Sequence, residues 1–144
     1  MVGDDQDQEA RGDALRRGGD VRLSVPAAPE YLRLVRLTAA GLASRLGFTF
    51  DEVEDLRIAV DELCFHLLGD IDADDDPFVA SRTMDLTYSA GRDSITITGS
   101  TGATGAAPEP SDLSEQILDA LVDEHEVGSD NGVIIFRLKK QRES

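Results

Sequence analysis

Between Val53 and Leu67 the large apolar residues return every three or four positions, at Val53, Leu56, Val60, Leu63 and Leu67. That spacing puts them on one stripe of an α-helix and obliges the chain to supply a second layer on which the stripe is buried. Thr49 and Glu52 read as a capping box that opens this helix, and Gly69 is expected to close it. A second stripe, Leu32, Val35, Ala39, Leu42 and Leu46, precedes it. It predicts a helix that starts with Pro29 in its first turn and runs to about Arg45, with Gly47 just past its end.

The remaining segments switch to a period of two. Val21, Leu23 and Val25 alternate with polar residues, as do Met84, Leu86 and Tyr88, and again Ile95 and Ile97 beyond a turn at Gly91-Arg92-Asp93. Residues 99–110, rich in Gly, Ala, Thr and Pro, read as a loop. Ser111 is placed to cap a third helix through Leu113, Ile117, Leu118 and Leu121. A last hairpin turns at Ser129-Asp130-Asn131-Gly132 and continues into Val133–Leu138. The order strand, helix, helix, two strands, helix, two strands predicts an α/β two-layer sandwich. Its sheet is largely antiparallel with about five strands, and the three helices lie on one face. One domain over residues 20–140 is expected, behind a polar, mobile tail at 1–19 that has little to bury.

The formal net charge of −15 argues against direct contact with nucleic acid or an anionic membrane, since neutralising phosphates takes clustered Lys and Arg. It suits a partner with basic patches. A single cysteine excludes an intramolecular disulfide. With neither a membrane-length apolar run nor a signal-peptide core at the N-terminus, the expected location is the cytoplasm.

Among the polar residues Glu62 and His66 stand out, because positions four apart share one face of a helix. Glu62 offers a carboxylate on that face. His66 is a candidate metal ligand, although an imidazole is a poor donor for a hard cation. Cys64 between them reads as a small buried apolar residue. The acidic run from Asp70 starts like a calcium loop, but Asp75 and Ser81 stand where that loop needs glycine and a bidentate acid.

The phrases "PEYLRLVRLTAAGLASRLGF" and "DLRIAVDELCFHLL", at this separation and within this element order, resemble the RsbW-like anti-sigma factor kinases of the histidine-kinase-like (Bergerat, GHKL) ATPases. The resemblance spans roughly residues 20–140. It implies a domain that uses ATP and Mg2+, with Glu62 as general base and a magnesium-binding asparagine where this chain has His66. The family's Asp-x-Gly-x-Gly motif, whose aspartate binds adenine, is replaced by "GSTGATGAAPEP", which keeps Gly102 and Gly105 as candidate nucleotide contacts but has no aspartate. Losing one such charge-assisted bond costs about 1.5–3 kcal/mol. The second glycine box is replaced by "SDLSEQILDAL", and the segment before it is too short for the family's ATP lid. Ser111 and Ser114 in that segment can satisfy a helix N-terminus.

The resemblance also implies partners: a sigma factor and a STAS-domain antagonist, with Arg33 and Arg36 on the first helix as candidate contacts and a homodimer as a further expectation. The function expected is a bacterial anti-sigma factor in a stress response, with ATP use weak or lost. The alternative is an active serine-protein kinase that phosphorylates the antagonist.

Overall fold

The computed structural model describes residues 20–72, 83–104 and 109–143. The expected tail at 1–19, most of the acidic run after Asp72, and Gly105 lie outside them. Strand β1 (Val21–Pro26) leads through a 3-10 turn at Pro29–Tyr31 into helix α1 (Leu32–Arg45) and then α2 (Phe50–Asp72). After these come β2 (Thr83–Ala90), β3 (Ser94–Thr104), α3 (Asp112–Leu121), β4 (Glu124–Asp130) and β5 (Val133–Gln141). The five strands form one sheet in the order β1-β2-β3-β5-β4, antiparallel at every junction. The expected two-layer sandwich is therefore the observed fold.

Register decides which residues meet the helices. One row across the sheet reads Leu23, Leu86, Gly99, Phe136, Val127, and the next inward row Val21, Tyr88, Ile97, Leu138, His125. Tyr88, Ile97, Phe136 and Leu138 are fully buried there against Val35 and Ala39 of α1, Leu56, Val60 and Leu63 of α2, and Leu118 of α3. Rows of the opposite parity, such as Arg22, Thr87, Thr98, Arg137, Glu126, face away from the core. Tyr88 carries a polar tip into the core and donates its hydroxyl to the Val35 carbonyl at 3.0 Å, which pins the sheet to α1. Burial pushes its phenol pKa well above the ordinary range.

Two expectations fail. Helix α2 continues to Asp72, three residues past Gly69, because a single glycine weakens a helix by only about 1 kcal/mol and need not stop it. Residues 99–104 are strand rather than loop. At Gly99 an added Cβ would lie 2.4 Å from Phe136 Cε1, so the aromatic ring occupies the space a side chain would need. A composition that reads as loop is thus a strand position over which a ring from the neighbouring strand packs.

Local signals explain the other boundaries. Thr49 and Glu52 exchange the capping-box bonds, Thr49 N to Glu52 Oε1 at 2.8 Å and Glu52 N to Thr49 Oγ1 at 3.2 Å. Ser111 Oγ accepts the Ser114 amide at 3.1 Å and opens α3. Asn131 and Gly132 take φ of +52° and +82°, the two left-handed positions that a tight hairpin requires. The far end of α3 is tied down by Lys140, which is 8% exposed: its Nζ donates to the Leu121 carbonyl at 2.6 Å and stands 3.8 Å from Asp55 on α2.

Candidate functional site

Helix α2 is the middle of the helical layer, packed between α1 and α3. Its buried stripe faces the sheet, which leaves Asp61 and Glu62 on its outer flanks, one turned toward each neighbour. Arg36 Nη1 of α1 stands 3.1 Å from Asp61 Oδ2. The hydroxyl of Ser114, in the first turn of α3, donates to the Glu62 carboxylate. Two consecutive residues of α2 thus bind the helices on either side, making a polar belt across the layer.

The belt is only partly screened by water. Arg36 and Asp61 are 34% and 27% exposed, and Asp61 Oδ1 is buried without a hydrogen-bond partner. Desolvation raises the Asp61 pKa above its ordinary value, and the adjacent Glu62 charge adds to the rise. The charge and hydrogen bond of Arg36, with Arg57 further off, pull it back without cancelling it.

The residues singled out in the sequence do not all converge. Glu62 and His66 lie one turn apart on α2, both partly buried. Gly102, exposed in β3, has φ of +78° and gives its amide to Ser100 Oγ at 3.1 Å. Arg33 is exposed on α1, whereas Arg36 is committed to Asp61. Cys64 is buried, and desolvation followed by the nearby Asp61 charge pushes its thiol pKa up, which keeps it protonated. Among the described residues, no three His, Cys, Asp or Glu side chains gather closely enough to hold a metal ion.

Periodicity did not reveal the Glu62–Ser114 pair. The two residues are 52 positions apart, and the sequence pointed to Ser114 only as a helix-terminal hydroxyl. The available signal was a pair of serines at the start of α3, Ser111 as its N-cap and Ser114 in its first turn.

No family model matches the chain. The serine-protein kinase RsbW of Halalkalibacterium halodurans is 29% identical over 138 residues, covering 83% of this chain and 82% of that protein. The resemblance to the RsbW-like family holds. The serine-protein kinase RsbW of Bacillus subtilis is 57% identical over 44 residues, 31% of this chain. In that match the chain spans 28% of the relative's length. A crystal structure of the RsbU and RsbW domains of a Mycobacterium tuberculosis protein superposes with a TM-score of 0.64 at 14% identity. It covers 85% of this chain and 32% of the other, and it shows the shared fold. In this chain the Glu62 carboxylate is engaged by the chain's own third helix.

Proposed function

We propose that this chain is an anti-sigma factor. It binds an alternative RNA polymerase sigma factor in the cytoplasm and covers the surface that the sigma factor uses for polymerase or promoter. A STAS-domain antagonist releases it by competing for the anti-sigma factor. Similarity to RsbW along most of the chain supports the family role, and the acidic net charge suits a partner that carries DNA-binding basic patches. Self-association into a homodimer and a place in a bacterial stress response belong to the same reading.

The Glu62–Ser114 contact is the observation that favours inhibition by binding over phosphoryl transfer. A family base has to be open to an incoming hydroxyl, and here one is already supplied from within. The donors fit Mg2+ poorly as well. One turn beyond Glu62 the chain offers an imidazole, where a hard cation wants oxygen. The strand that should carry an adenine-binding aspartate has Ser100 and Gly102 bonded to each other.

A tagged form of the protein, captured from its native cytoplasm, is expected to bring down a sigma factor identifiable by mass spectrometry. A folded, abundant bait that recovers none overturns the reading. The second reading, an active serine-protein kinase, draws on the similarity to serine-protein kinase RsbW along most of the chain. Transfer of labelled γ-phosphate to a purified STAS protein, abolished by Glu62→Ala, establishes that alternative. No transfer at high protein concentration removes it.

A further inference from the structure

Among the described residues, all six large apolar side chains that remain exposed are on helices, and none is on a strand. Four of them flank the polar belt. Leu37, 51% exposed, follows Arg36 on α1. Ile58 and Phe65, 48% and 56% exposed, stand four residues before and three after Glu62, and therefore on its face of α2. Leu113, 67% exposed, precedes Ser114 on α3. The two belt contacts bring these residues to one side of the molecule, because Asp61 is held to α1 and Glu62 to α3. Scattered surface leucines need no explanation, but apolar residues from three helices around one polar line are a patch.

Charge indicates what would cover it. The acids Glu54, Asp61 and Glu62 run along α2 through the patch, and Asp112 and Glu115 add to them at the start of α3. Arg36 and Arg57 are each paired to one of these acids, at 3.1 Å to Asp61 and 2.8 Å to Glu54. We propose that this helical face, with Leu37, Ile58, Phe65 and Leu113 around Asp61 and Glu62, is the docking surface for an amphipathic helix. That helix is part of the bound sigma factor and presents Lys or Arg beside an apolar stripe. The proposal rests on the anti-sigma reading and assigns that reading a surface. Apolar anchors enter between the side chains of the three helices, and a cation meets Glu62, Asp112 and Glu115, the acids of this face that, among the described residues, no arginine already pairs.

The test compares capture of the sigma factor by wild type, Phe65→Glu, Leu113→Glu and, on the outer sheet face, Arg22→Glu. Each of these side chains is exposed, so melting temperatures should stay close to wild type. The expected result is at least about a tenfold loss of affinity for Phe65→Glu and Leu113→Glu. Arg22→Glu is expected to bind normally, and wild-type binding to weaken as salt is raised. Equal capture by all four proteins overturns the surface and leaves the anti-sigma reading standing. A wild type that captures no sigma factor removes both. If Phe65→Glu abolishes a dimer of the free protein while sigma capture is unchanged, the face serves self-association and the proposal fails.

Discussion

Arg36 on the first helix and Asp61 on the second are held 3.1 Å apart, each about one-third exposed or less, and Asp61 keeps a second oxygen buried and unpaired. Such a pair stabilises little in itself, yet it costs more when only one partner is removed. Arg36→Glu should lower unfolding stability by about 1–2 kcal/mol, beyond what a free surface arginine would show. Adding Asp61→Arg to that variant should recover most of the loss, as measured by urea denaturation. Arg33 is exposed on the same helix. Arg33→Glu should change stability by no more than about 0.5 kcal/mol, and so reports on partner binding alone.

Gly99 lies under the Phe136 ring, with no room for a β-carbon. Gly99→Ala should cost about 1–3 kcal/mol through overpacking. Shortening the ring by Phe136→Leu opens that space, so the double variant should lose less than the two single losses added together. Strict additivity in the denaturation midpoints would mean that the close approach is not what constrains Gly99.

Glu52 is buried, at 7% exposure, and joins the start of α2 to the C-terminal segment through the Glu143 amide at 2.8 Å. Desolvation alone would raise its pKa. The bonds from the Glu143 and Thr49 amides, the Thr49 hydroxyl and the Lys140 charge together outweigh that penalty and hold it below its ordinary 4.5. A lowered folded-state pKa contributes stability above the unfolded value, and that stability is lost as pH falls through the folded value. The stability gap between wild type and Glu52→Gln should therefore be full at neutral pH and shrink as pH drops below about 4.5. Melting temperatures of both proteins across that range provide the check.

Much of the fold was legible because local patterns and packing agree. The stripe from Val53 to Leu67 is buried as its spacing requires, and the Thr49–Glu52 box and the Asn131-Gly132 turn stand where short-range chemistry puts them. The stretch from Gly99 to Thr104 was misread because glycine content signals loop, whereas its conformation is set by β2, β5 and the Phe136 ring. The Glu62–Ser114 contact and the Arg36–Asp61 bridge depend on which helix faces touch, and residues 25 and 52 positions apart leave no trace in local periodicity.

The most direct test of inhibition by binding is transcription reconstituted from core polymerase, the captured sigma factor and its promoter, titrated with this protein in the absence of ATP. The account predicts that the transcript falls in proportion to the protein added and returns when the STAS-domain antagonist is supplied. A transcript that stays undiminished with protein in excess over sigma factor, or that falls only when ATP is present, would contradict it.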